Sequence, residues 1–488
     1  MSVFSLDPNS GNPVTTAVVD EVCTDLGVSI NDDEKEAYRK LLGVFHDSAV
    51  ELMAMPDYIP RVNIERFPRE NIYFPDSKEN THGAWAWKCS IKDKSKDKKE
   101  PGLLEGKKIV LKDNISVKDI PMLMGTDFVK GYVPNTDATV VTRLLQAGAE
   151  ITGKAVCENM CHSATSHSAA TGVVENPFAK GYSSGGSSSG SGVLVALGEA
   201  DMSIGADQGG SAVAGTDNID DRGFAAPTPA NIPEYSLILS RAGEPKNLSG
   251  VRVGIISESL TGPVLDPRVK ATFLQAAETF TQLGATVSEV SIPLHKKGPA
   301  IWTGVSKVGG YLAKSSGPFG RRGHQMVDLH GMMWPLKQEN WDNAYVSSKN
   351  IYLNGAYAAK AFPQLLGKAT NLSRMLRDAY DAALEENDVL ITPTLPYIAT
   401  SHCAPDAGPL EQIAKQVGLT CNTCQFNQTG HPALTMPVGM LEIQEGPLNG
   451  TGTKLPVGLQ IVGKWWAEEI VYRIAYAWEL ANPDWKSL

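Results

Sequence analysis

Residues 181–215 read GYSSGGSSSGSGVLVALGEADMSIGADQGGSAVAG and hold ten glycines and eight serines. A flexible Gly/Ser linker stays polar throughout. Here the run from Ser183 to Gly192 passes directly into Val193-Leu194-Val195-Ala196-Leu197, a short apolar helix or strand. A second apolar step, Met202-Ser203-Ile204, leads into Gly209-Gly210-Ser211. Two Gly-Gly-Ser turns therefore flank one buried element, the pattern of an active site and not of a tether.

The chain around this stretch has 488 residues, 42% hydrophobic and 20% charged, enough for one very large core or two to three domains. A formal net charge of -10 provides no broad basic field for a nucleic-acid backbone. The lysine-rich run from Lys92 to Lys99 lacks interleaved aromatics and reads as a solvated loop. No stretch approaches the apolar length that spans a bilayer, and the start MSVFSLDPNSGNPV lacks a basic region followed by an apolar run, so a cytoplasmic protein is expected. Seven cysteines are an odd and sparse set, without a disulfide framework.

Working outward, Ile109-Val110-Leu111 forms a short buried strand that delivers Lys112-Asp113-Asn114 at its end. Residues 136–148 form a helix stopped by Gly148, followed by a strand from Glu150 to Gly153. Val251 to Ile256, Asp266 to Leu283 and Thr286 to Ile292 read as strand, helix and strand. A helix from Asn371 to Glu386 feeds the strand Val389-Leu390-Ile391, and Val457 to Val462 with Ile470 to Leu480 closes the chain as strand and helix. Gly298 to Leu366 has weak periodicity and is expected to cover one side of the core. At the N-terminus, Tyr38, Leu41, Leu42, Phe45, Ala49 and Leu52 recur at helical spacing after an Asn31 to Asp33 cap. The expected organisation is a helical extension over 1–80 and one α/β domain over 81–488, with a central mixed β-sheet covered by helices on both faces.

Several chemistries are excluded by pattern. Cys421-Asn422-Thr423-Cys424 has no second pair at zinc-ribbon distance, so no metal is expected there, and Cys157 and Cys161 read as small packing residues. The nine histidines form no HExxH and stand in no recognisable triad frame, so a Ser-His-Asp hydrolase with a GxSxG elbow is not supported, and neither a P-loop nor a strand-linked GxGxxG occurs. No cofactor is expected.

What remains is a strand-end lysine, Lys112, and two serines in glycine turns, Ser187 and Ser211. Their order and spacing resemble the amidase signature family. The likeness is carried by LKDN at 111–114, SSGGSSSG at 183–190 and GADQGGS at 205–211. It extends through TPTLP at 392–396, TGHPALTMPVG at 429–439 and PVGLQIVG at 456–463. The helical extension looks more like that of the nitrile-associated bacterial and fungal amidases than like a transamidosome subunit. The resemblance implies an amidohydrolase releasing ammonia from a small carboxylic amide through an acyl-ester, with a homodimer as the expected assembly. It makes Ser211 the nucleophile, Ser187 the proton relay and Lys112 the base. The backbone amides of Gln208, Gly209 and Gly210, with that of Ser211, would face the oxyanion.

This role requires a neutral lysine, which burial favours, and it requires Asp113 to point elsewhere, since an adjacent carboxylate holds a lysine charged. The chain departs from the family after the nucleophile. Family members continue with an Ile-Arg-x-Pro turn, two strands and a helix before a Gly-x-Asp turn. Here Ser211 runs through Ala212-Val213-Ala214 to Gly215-Thr216-Asp217, an apparent deletion near 212–215 followed by an Asp-, Asn- and Pro-rich connector. An amidase-like protein with impaired catalysis, acting as a binding protein, is therefore the alternative expectation.

Overall fold

The computed structural model describes residues 7–95, 101–206, 235, 239, 245–315 and 324–487. The chain divides into two compact units, Met1–Arg61 and Val62–Leu488.

The first unit pairs the helices Thr16–Leu26 and Asp32–Ala54. Gly27 ends the first helix in the left-handed conformation, at φ 71°, which glycine adopts without Cβ strain. Asn12 donates to the Gly43 carbonyl and to Asp47 Oδ1, and ties the leading segment across the second helix. The apolar face read from the sequence is only partly used. Of that face Leu41, Leu42 and Ala49 are half-buried and Tyr38, Phe45 and Leu52 exposed, while the residues the two helices bury are Val19, Cys23, Gly43 and Val44. One short helix covers too narrow a strip of a 23-residue partner to bury its whole apolar stripe.

The second unit has the mixed α/β architecture expected from the sequence, and its described strands fall into two five-stranded mixed sheets. The first sheet contains β1 (Arg69–Tyr73), β2 (Trp85–Ile91), β3 (Lys108–Lys112), β4 (Glu150–Ala155) and β5 (Met202–Ile204). Their order is β1-β2-β4-β3-β5, with β3 parallel to both neighbours. The strands β1 and β2 were not read from the sequence: β1 is largely exposed, so it carries no apolar alternation.

Side chains alternate across this sheet. Ile109 and Leu111 face one side with Ile91, Ile151, and Val141 and Leu145 of the helix Thr139–Gln146. Val110 faces the other, against Trp85, Ala155, and Val193 and Leu194 of the helix Ser189–Ala196. Lys112, two residues beyond Val110, shares that second face and meets the turn where the helix Ser189–Ala196 begins. The helix Thr139–Gln146 starts three residues later than the sequence suggested. Thr136 and Asp137 are instead committed to Ser116, to the Lys118 amide and to Arg69.

The second sheet joins β6 (Arg252–Ile256), β7 (Thr286–Val290), β8 (Val389–Pro393), β9 (Ala433–Glu442) and β10 (Lys454–Gly463) in the order β7-β6-β8-β10-β9. The helices Pro267–Gln282 and Glu468–Ala481 bury Phe273, Phe280, Ile474 and Trp478 on one face. Leu376, Tyr380 and Leu384 of the helix Leu365–Glu386 cover the other. Asp266 caps Pro267–Gln282 by accepting the Arg268 amide, and Gly284 ends it at φ 97°.

The weakly periodic region contains the helices Gly298–Ser315 and Val346–Ala361. Its pattern is weak because glycines occupy the crossings. A Cβ on Gly355 would lie 2.1 Å from Tyr311 Cβ, and one on Gly304 would lie 2.9 Å from Ala369 Cβ. Close approach of the backbones replaces the large apolar residues that mark a helix face.

Gly190 plays the same part at the first sheet, where an added Cβ would meet the Ala84 carbonyl oxygen at 2.3 Å and the Val156 nitrogen at 2.7 Å. Gly190→Ala should cost about 1–3 kcal/mol in urea unfolding. Gly192→Ala, with nothing within 4 Å of its Cβ, should be neutral or stabilising by about 0.5–1 kcal/mol. Equal effects of the two substitutions would show that Gly190 is not a packing constraint.

Candidate active site

Lys112 is the last residue of β3 and fully buried. Its Nζ lies 2.7 Å from Ser187 Oγ and donates to the Ala206 carbonyl at 3.0 Å. The pairing of β3 with β5 explains the second contact: Leu111 faces Ile204, so the chain leaving β5 passes beside Lys112. The first contact comes from the turn before the helix Ser189–Ala196. Glu158 donates its amide to the Ser187 carbonyl at 3.0 Å, and Gly190 donates to the Val156 carbonyl at 2.9 Å. The turn is thus fastened to the residues just past β4, and the Gly186–Ser187 peptide bond is cis. Ser188 Oγ adds a contact to Ala206, accepting its amide at 3.3 Å.

Asp113 turns away from Lys112, as a neutral lysine requires. Its Oδ2 accepts the amides of Leu123 and Met124 at 2.9 and 2.8 Å, and its Oδ1 lies 3.4 Å from Lys154 Nζ. Lys154 also donates to the Asp113 carbonyl at 3.2 Å. Burial is the largest influence on the Asp113 carboxyl and pushes it above its ordinary value, against the Lys154 ammonium and the two amides. Two buried lysines thus stand near one buried carboxylate, and Lys154 takes it.

Glu158, which the sequence reading missed, anchors the serine turn. It is fully buried and accepts Ser168 Oγ at 2.7 Å and Ser189 Oγ at 3.3 Å. Burial pushes its carboxyl upward, opposed by these hydroxyls. A Cβ on Gly186 would lie 2.8 Å from Glu158 Cγ, so glycine lets the turn approach. No local pattern marks it: Glu158 reaches the turn because β3 and β4 are parallel, so polar residues just after each arrive at the same edge of the sheet.

Ser211, Gln208, Gly209 and Gly210 lie outside the described residues, as does the junction at 212–215. Among the described residues, one serine and histidine pair offers a different chemistry. Ser166 Oγ is 3.1 Å from His402 Nε2 and also accepts the Ser184 amide. Ser166 is fully buried, and burial holds the His402 ring down at about 4. The pair pins the 400–402 segment to the serine loop. Cys421 and Cys424 are not joined by a disulfide, and the buried Cys424 Sγ lies 3.5 Å from Gln425 Oε1. Among the described residues no group of three or more His, Cys, Asp or Glu side chains is placed to hold a metal, and no helix is long and apolar enough to cross a membrane.

Asp113→Ala should destabilise the chain by about 3–5 kcal/mol in denaturant unfolding, because it strands the Lys154 charge in the core. Adding Lys154→Met should recover part of that loss. Additive losses in the double variant would show that the two side chains do not compensate each other.

The comparisons with known proteins follow the same residues. A family model described as Amidase matches residues 79–214 and 227–471. An enantioselective amidase of Rhodococcus rhodochrous is 31% identical over 445 residues, covering 80% of this chain and 81% of its own length. A glutamyl-tRNA(Gln) amidotransferase subunit of Symbiobacterium thermophilum is 31% identical over 427 residues, covering 78% of this chain and 83% of its own. The solved structure of a bacterial aryl acylamidase of the amidase signature enzymes has the same fold, with a TM-score of 0.63 at 19% identity over 79% of this chain and 84% of that one. With the family match spanning most of the chain, the protein belongs to the amidase signature family and is a hydrolase acting on amide C-N bonds.

Proposed function

We propose that the chain hydrolyses a small carboxylic amide to the acid and ammonia, with Ser211 as nucleophile, Ser187 as proton relay and Lys112 as base. The observation that carries this reading is the 2.7 Å contact between the fully buried Lys112 Nζ and Ser187 Oγ, with the neighbouring carboxylate turned to Lys154. A neutral amine held by its N–H to the Ala206 carbonyl keeps a lone pair for the Ser187 hydroxyl proton.

In this mechanism Ser211 Oγ bonds to the amide carbon as its proton moves to Ser187 Oγ and the Ser187 proton moves to Lys112 Nζ. The backbone amides of Gln208 to Ser211 receive the oxyanion. Collapse of the tetrahedral adduct breaks the C–N bond, and the proton held on Lys112 returns through Ser187 to the departing nitrogen. Water then attacks the acyl-ester, gives its proton along the same path, and frees the acid and Ser211.

Ser211→Ala should abolish ammonia release and labelling by a fluorophosphonate probe. A fully labelled alanine variant would exclude Ser211 as the acylated residue. Lys112→Arg should lose activity as completely as Lys112→Ala, roughly 10²–10⁴-fold or more, because arginine supplies no neutral base. An arginine variant that retained turnover would mean the position contributes charge and not proton transfer.

A second reading, a family member with impaired catalysis, is supported by the interruption of the family match at 215–226, directly beyond Ser211. Probe labelling of Ser211 without steady ammonia release would favour it. Restoring an in-frame segment at 212–215 should then raise turnover.

A further inference from the structure

The strongest unassigned feature lies beside Lys112. His162 follows the short turn Asn159–Cys161 and donates its amide to the Asn159 carbonyl at 3.0 Å. Its Nε2 is buried and has no hydrogen-bond partner among the described residues. The side-chain nitrogens of Lys314, Lys307 and Lys112 are all close enough to act on this ring. Lys307 and Lys314 stand seven residues apart on the helix Gly298–Ser315, two turns along one face.

Among the described residues no carboxylate balances this pair of cations. Neither Lys307 nor Lys314 forms an ion pair there, and Lys314 donates only a long hydrogen bond, 3.4 Å, to the Gly310 carbonyl of its own helix. Burial holds Lys314 down at about 8 and Lys307 below its ordinary value. Burial, then the three lysines, holds His162 well below its ordinary value. The one acidic group acting on Lys314 is the Cys161 thiol, brought down to about 7 chiefly by its hydrogen bond with Cys157. One thiol does not offset two ammonium groups. His162, Cys161, Lys307 and Lys314 are half-buried, so the cluster is not sealed in the core.

The geometry points to a carboxylate-binding subsite formed by His162, Lys307 and Lys314, which selects amide substrates that carry a free carboxylate. In its Nε2–H tautomer the orphaned His162 ring donates one hydrogen bond, and the two ammonium groups supply charge in a site of low dielectric. A substrate bound there by its acid group is held within electrostatic reach of Lys112. The inference rests on the amidase reading for its substrate class, while the subsite itself rests on the unpaired cations and the buried orphan nitrogen.

The test compares ammonia release from succinamate, glutaramate and adipamate with that from the matching neutral diamides, together with calorimetric binding of succinate, glutarate and adipate. At least one monoamide should have a kcat/KM on the order of 10-fold above its diamide, and at least one diacid should bind. Lys307→Met and Lys314→Met should each raise KM for that monoamide on the order of 10-fold more than KM for the diamide, with Lys314→Arg retaining the preference. Equal or better turnover of every diamide, with no diacid bound, would overturn the subsite and leave the hydrolase reading intact. Diacid binding that is lost in the methionine variants, without hydrolysis of any amide, would overturn the hydrolase reading and keep the subsite. The wild-type substrate ratios and binding decide the matter even where a methionine variant fails to fold.

Discussion

A single buried lysine sets the terms for the first sheet. Lys112 has no carboxylate partner among the described residues, and its amine is held by one hydroxyl and one carbonyl, those of Ser187 and Ala206. Those two contacts come from opposite ends of one helix-and-strand unit. The helix Ser189–Ala196 begins just after Ser187, and β5 ends just before Ala206. Placing both around one Nζ requires the helix to sit tightly on the sheet, which Gly190 allows by meeting the Ala84 and Val156 backbones without a side chain between them. The buried amine and the close packing are therefore one constraint.

The electrostatics of the edge divide along the same lines. Lys154 and Lys112 are both fully buried, on neighbouring strands, and Asp113 directly follows Lys112. The amides of Leu123 and Met124 draw Asp113 to the side of Lys154, where charge meets charge. A buried ion pair of this kind adds little net stability, since desolvation offsets attraction, but it removes the carboxylate from Lys112. Glu158 performs the complementary service: three serine groups, the hydroxyl and amide of Ser168 and the hydroxyl of Ser189, satisfy it, and its own amide holds Ser187. The two lysines at this edge are thus sorted into one that is compensated, Lys154, and one, Lys112, that has no carboxylate partner among the described residues.

The second sheet has a more conventional core. Its two faces are covered by long amphipathic helices with Phe273, Phe280, Trp478, Leu376 and Leu384 facing inward. The Cys421 to Cys424 segment is absorbed into a polar network there. Asn422 joins His295, the Pro393 carbonyl and Gln460, which ties the segment between the two thiols to the second sheet.

The sequence by itself determined the elements whose signals are local. The strand at 109–111, the helices around 267–282 and 468–481, and the Gly/Ser turn before Ser189 were legible because apolar periodicity, caps and glycine stops act within a few residues. The family likeness followed from the lysine and two serines at fixed spacing. The strand β1 and the helices packed through Gly304 and Gly355 were not legible, since an exposed strand has no apolar face and a glycine crossing has no large side chain to mark it. Tertiary structure alone decided which carboxylate meets which lysine, that Glu158 anchors Ser187, and that Lys307 and Lys314 come within electrostatic reach of His162. Those outcomes depend on residues dozens to hundreds of positions apart, brought together by parallel strand pairing and helix crossings that no local pattern encodes.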